Sequence, residues 1–105
     1  MFHNLTVKTF GQVRSSSYHG RRTLTCDTYP YRSYDAAYLR QNRECQALLA
    51  QHPEWHLLAD TEGRDINGLR HRTVSLGRPA EGTRKEAVMA SLTLTTERFV
   101  DSDAA

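Results

Sequence analysis

Between Pro30 and Pro53 lies a stretch of this chain with helical periodicity, while the segments flanking it alternate with period two. One helix set among short strands limits the architecture sharply. Ser33 is a good N-cap, and Asp35 stands in the first turn, where the helix dipole favours a carboxylate. The helix is predicted to run to about His52, where Pro53 stops it. Tyr34, Tyr38, Cys45, Leu48, Leu49 and His52 fall mostly on one face, interrupted by Gln41; Arg40, Arg43, Glu44 and Gln51 lie largely away from it. That is an amphipathic helix laid on a sheet.

Before the helix, Leu5 to Thr9 alternates, and Thr23 to Tyr29 repeats the pattern with Leu24 and Cys26 inward. Pro30 is expected to end this second strand, since it has no N–H to donate. The two strands form a hairpin with a long, basic, flexible tip over residues 14–21, where Gly20 supplies the turn. After the helix, Trp55, Leu57 and Ala59 alternate with His56, Leu58 and Asp60 in a third strand. Asn67-Gly68 suits a type I′ turn that sets Asp65 opposite Arg70, with Asp60 to Gly63 as a competing turn; Leu69 to Leu76 is a fourth strand. Gly77 to Arg84 is a loop by composition. Lys85 to Ala90 is compatible with helix, but Val88, Ala90, Leu92 and Leu94 share a face at period two, so a strand over about 88–98 is preferred. Residues 101–105 form a frayed tail. The fold class is α+β: a small, mainly antiparallel sheet with one amphipathic helix on one face, in the order ββαβββ.

The 105 residues suit one domain over 1–105. With 38% apolar residues, much of the chain must face solvent or a partner, and 25% charged residues is ordinary for a globular protein. The net charge of +2 is unevenly placed: residues 1–45 carry seven basic side chains against three acidic ones, and residues 46–105 carry seven against nine. Twelve of the fourteen basic residues are Arg, whose planar fork pairs with phosphates and carboxylates. Met1 to Phe10 lacks the pattern of a signal peptide, and no window reaches the roughly 20 apolar residues of a membrane span. Together with two cysteines read as reduced thiols, this gives a cytoplasmic expectation with no membrane partner.

Motifs for chemistry are weak. His52 and His56 have a zinc-like spacing, but Cys26 and Cys45 have eighteen residues between them, far from the close pair such sites use. Asp60, Glu62 and Asp65 cluster near a turn but miss the calcium-loop pattern, with Arg64 where an oxygen ligand belongs. Ser15, Ser16 and Ser17 lie beside His19 without a nucleophile elbow. No cofactor, metal site or catalytic residue is expected. The strongest feature is interleaving of aromatic and basic residues: all five tyrosines, Tyr18, Tyr29, Tyr31, Tyr34 and Tyr38, fall among six arginines. Tyr stacks on bases or anchors interfaces, and Arg pairs phosphates.

Ala37-Tyr38-Leu39-Arg40-Gln41-Asn42, with Gln46 and then Asp60 to Leu69, resembles the N-terminal part of serine recombinase catalytic domains over about thirty residues. In that family a Tyr-x-Arg-x-Ser segment carries the nucleophile. Here Asn42 occupies the serine position, and the segment reads as helix where the family has a strand, so the resemblance implies no strand cleavage.

The function expected is that of a small non-catalytic binding protein, of the kind found among phage and mobile-element regulators and inhibitors. It would contact nucleic acid or a nucleoprotein complex through its basic, Tyr-rich N-terminal hairpin. The expected contact residues are Arg14, Tyr18, His19, Arg21, Arg22 and Arg32. One alternative is a protein–protein interaction module binding a protein target, or a homodimer joined through a sheet edge or open face. A third is a small metal-dependent nuclease or hydrolase using Asp60, Glu62 and His71.

Overall fold

The computed structural model describes residues 1–14, 19–79 and 86–97, with side chains described for 1–11, 22–79 and 86–97. Five strands and one helix follow in the order β1 (Phe2–Arg14), β2 (His19–Tyr31), α1 (Tyr34–Gln51), β3 (His56–Arg64), β4 (Arg70–Pro79) and β5 (Glu86–Glu97). The strands form one antiparallel sheet, ordered β2-β1-β5-β4-β3, with α1 on one face. This is the α+β fold read from the sequence, with its ββαβββ order. No helix among the described residues is long and apolar enough to cross a membrane.

The helix begins as its residues dictate. Ser33 Oγ accepts a hydrogen bond from the Ala36 amide (3.3 Å), and the His52 N–H closes the C-terminus on the Leu48 carbonyl (2.9 Å). Its inward face meets Leu5, Val7, Val74, Leu76, Ala90, Leu92 and Leu94, which with Tyr34, Ala37, Trp55 and Met89 make the core. Gln41, an apparent interruption of the apolar face, is fully buried: its Nε2 donates to the carbonyls of Arg72 (3.1 Å) and Leu92 (2.9 Å), so the helix is hydrogen-bonded to the sheet at its centre.

Several sequence expectations are corrected. β2 runs through Pro30 to Tyr31 instead of ending at Pro30, because β2 is an edge strand and a proline costs no ladder bond on its outer side. Leu24 and Cys26 are exposed: Cys26 pairs with Lys8 on the face turned away from α1, and Leu24 has no partner in the β1–β2 ladder. The hairpin ladder persists to Arg14↔His19, so residues 14 and 19–21 belong to strands and only 15–18 of the expected tip lie outside the described residues. β3 continues to Arg64, and Gly77 to Pro79 belong to β4. The turn between them is not type I′: Gly68 alone has positive φ (77°), its N–H returns to the Asp65 carbonyl (2.9 Å), and Asp65 Oδ1 accepts from Asn67 and Leu69. That is a type I turn followed by a left-handed glycine, and it pairs Arg70 with Arg64 instead of Asp65. Residues 86–97 form a strand, as preferred over helix; the tail at 101–105 lies outside the described residues.

The molecule measures 54 × 30 × 23 Å with a radius of gyration of 16.1 Å, where a compact 100-residue domain has about 13 Å. The excess length has a local origin. β1 pairs with β2 as far as Arg14, but with β5 only as far as Thr9↔Ala90, and β4 and β5 stay paired to Pro79↔Glu86. Beyond the Thr9–Ala90 level the sheet is therefore split into two ribbons leaving by the same end, β1–β2 and β4–β5, the second flanked by β3 only as far as His56↔Gly77.

Candidate nucleic-acid interface

Three bulges mark where the sheet divides. Leu24 has no partner between Thr9↔Thr25 and Phe10↔Thr23; Met89 has none between Leu76↔Ala90 and Gly77↔Val88; Leu58 has none between Leu57↔Leu76 and Ala59↔Ser75. All three adjoin the single row Thr25–Thr9–Ala90–Leu76–Leu57 that crosses every strand. A bulge bends its strand and increases local twist, so a line of them re-aims both ribbons relative to the helix-covered sheet. Gly77 makes the central bulge feasible: a Cβ there would collide with the Ala87 carbonyl oxygen and with Leu58 Cδ1.

Charge follows this division. Residues 10–23 hold Arg14, Arg21 and Arg22 with no acid; residues 77–89 hold Arg78, Arg84 and Lys85 against Glu81 and Glu86. In sequence these two stretches together sum to +4 and the remainder of the chain to −2. Glu86, opposite Pro79 in the last described pair of the second ribbon, is paired with His56 Nε2 (2.8 Å), which offsets part of the acid there. Arg22 is exposed and pairs with Gly11, Arg21 pairs with Gln12, and Arg14 with His19, all on the first ribbon. Tyr18 lies outside the described residues. Arg32 does not join them: it follows Tyr31 at the opposite end of β2, ten residues from Arg22, or roughly 30 Å along a strand. Sequence reasoning missed the second ribbon, because Gly77 to Pro79 read as loop by composition.

The tyrosine–arginine interleaving has a different outcome. Four of the five tyrosines hold the helix to the sheet. The Arg40 guanidinium lies 4.3 Å above the Tyr29 ring, donates to the Tyr31 hydroxyl (3.3 Å) and pairs with Glu44 (2.6 Å). Arg70 covers Tyr34 at 3.9 Å, and His3 meets the same ring edge-on. Arg72 covers Tyr38 at 4.2 Å, grips Asp60 with two bonds (Nε to Oδ1 3.0 Å, Nη2 to Oδ2 2.8 Å) and donates through Nη1 to Asn42 Oδ1 (2.6 Å) and Gln41 Oε1 (3.4 Å). The bonds from Arg72 hold the Asp60 carboxyl below its usual range, and the same pair raises Arg72. Burial pushes the Cys45 thiol beside this layer up to about 11, well away from thiolate reactivity. Burial also lowers His3, helped by the chain's amino terminus and Arg70.

The chemistry considered from sequence is dispersed. Both cysteines are free, and the described residues contain no group of three or more His, Cys, Asp or Glu side chains that could hold a metal. His52 instead stacks on Trp55 at 3.7 Å. Asp60 is engaged by Arg72 on the helix side, whereas His71 shares the opposite face with Thr73 and Thr95, so the two do not converge. Asn42, at the serine position of the recombinase-like segment, sits in α1 and accepts from Arg72.

Compared with protein-family models, with curated proteins and with solved structures, the chain matches none of them.

Proposed function

We propose that this protein is a small non-catalytic binding protein that docks on nucleic acid, alone or within a nucleoprotein complex, through its basic fork. The observation that supports this reading is the coincidence of three features at one end of the molecule: the split of the sheet into two ribbons, the line of bulges at the split, and four arginines, Arg14, Arg21, Arg22 and Arg78, on the described strands of the ribbons against one acid, Glu86. Phosphate neutralisation by Arg and Lys releases condensed counterions, and this sequence-independent term supplies most of the affinity of such surfaces. A regulator or inhibitor acting on a nucleoprotein machine would use the same surface.

The test is retention of mixed-sequence nucleic acid by the purified chain at low salt, compared with an Arg21→Glu/Arg22→Glu variant whose fold is verified by circular dichroism. The wild type should bind, and the variant should lose on the order of a hundredfold in affinity, since each reversal removes one phosphate contact and adds a repulsion. Equal retention by a folded variant would contradict the assignment to the fork.

A further inference from the structure

From the face of the sheet that α1 leaves open, we infer that the chain forms a two-fold homodimer by stacking this face on the same face of a second copy. Leu5, Val7, Leu92 and Leu94 belong to the core under the helix, so alternation turns their neighbours along each strand to the other side. There the row Thr28–Thr6–Thr93–Thr73–Thr61 crosses all five strands. It lies between two further complete rows, one running from Pro30 to Gly63 and the other from Cys26 to Ala59. The three rows hold six threonines and two serines, and Lys8 is their one permanently charged side chain, in a chain of which 25% is charged. Surfaces that meet only water are normally well charged, whereas the centre of an interface is depleted of charge.

The chemistry of the face selects its occupant. A polyanion finds a single ammonium group on it, and an apolar partner would leave its hydroxyls without hydrogen bonds. A hydroxyl both donates and accepts, as Thr6 and Thr28 do with each other across their Oγ1 atoms (3.2 Å). A hydroxyl face therefore satisfies a copy of itself, which is the self-complementarity that an isologous contact demands. Thr93 stands at the centre, on the third of the five strands and in the second of the three rows. A two-fold axis passing there brings Thr93 of the two copies together and keeps Lys8, one strand off centre, clear of its counterpart. The edges of the sheet do not compete for the second copy, since Pro30 and the bulge at Leu24 guard β2 and the bulge at Leu58 guards β3.

Five strands about 4.8 Å apart and three rows about 6.8 Å apart make a face of roughly 24 by 20 Å. Two such faces bury roughly 1,000 Å² in all, the lower limit of a specific interface, so the dimer is weak and depends on protein concentration.

The experiment is sedimentation equilibrium of the full chain, freed of nucleic acid, from micromolar to near-millimolar concentration at low and at high salt. The mass should climb from that of one chain toward that of two at both salts, because the contact is made by neutral groups. Thr93→Lys sets two ammonium groups against each other at the centre and should weaken association on the order of a hundredfold. Ser75→Lys, in the adjoining row, takes its place if Thr93→Lys does not fold. Leu39→Lys, 62% exposed on the helix, should associate like the wild type. The inference is overturned by a single chain at every concentration, or by a folded face variant that associates like the wild type. Association that salt abolishes, the mark of a basic fork meeting the acids of another copy, would overturn it too. None of these outcomes bears on the fork as a nucleic-acid surface, which retention of nucleic acid tests separately.

Discussion

Arg72 shows how a charged side chain earns a buried place. It is 8% exposed, yet every direction of its fork is met: Asp60 on one edge, Asn42 and Gln41 on another, the Tyr38 face above. Among the described residues no buried side-chain polar atom lacks a partner, so the network is costly to break at one point. Asp60→Asn removes the charge of a partly exposed carboxylate and should lower stability at neutral pH by about 1–2 kcal/mol. The pH dependence has a definite sign. Asp60 titrates lower in the folded chain than when unfolded, so its contribution is complete above the unfolded value of about 3.9 and is lost as pH falls through the folded one. Denaturant melts of parent and variant should therefore differ near pH 7 and converge in acid; a difference that persists unchanged in acid would show that the ion pair is not its source.

At the scale of elements, the bulges govern. Gly77→Ala places a methyl where the Ala87 carbonyl oxygen and Leu58 already sit, and should cost about 2 kcal/mol or more by forcing β4 and β5 apart. Thermal unfolding measures this, and a neutral result would mean that the bulge relaxes freely. Bulges were also the limit of what the sequence could tell. The helix was legible because Ser33 and Pro53 act locally, and the five strands because alternation is local. A bulge depends on one residue losing its partner across the sheet, which no neighbour along the chain reveals. Leu58 shifts the alternation of β3, so Ala59 joins Ser75 on the open face and Asp60 turns to Arg72. Gly77 carried the one local hint, a glycine between strand residues, but its polar company read as loop. The tyrosines were misleading for the opposite reason. Tyr29, Tyr31, Tyr34 and Tyr38 are near in sequence to many arginines, but Tyr34 and Tyr38 are covered by Arg70 and Arg72, more than thirty residues away.

At the scale of the molecule, the helix-covered sheet carries the fork that we propose as the contact surface. Both edge strands carry protection against pairing with another sheet: Pro30 and the Leu24 bulge on β2, the Leu58 bulge and the charges of Asp60, Glu62 and Arg64 on β3. These features disfavour edge-to-edge association and leave the end of the sheet, with its concentrated positive charge, as the surface that electrostatics singles out. Because the charge of the rest of the chain is −2, the field is directional and should orient the molecule on approach to a polyanion.

The most direct measurement is the salt dependence of binding to a DNA duplex, wild type beside Arg21→Glu/Arg22→Glu. With about four phosphates neutralised by the fork, the logarithm of the binding constant should fall against the logarithm of salt concentration with a slope near −3.6. The double variant should bind more weakly with a slope shallower by about two. A wild-type affinity indifferent to salt, or a variant with the same slope, would contradict the account of the fork as a phosphate-binding surface.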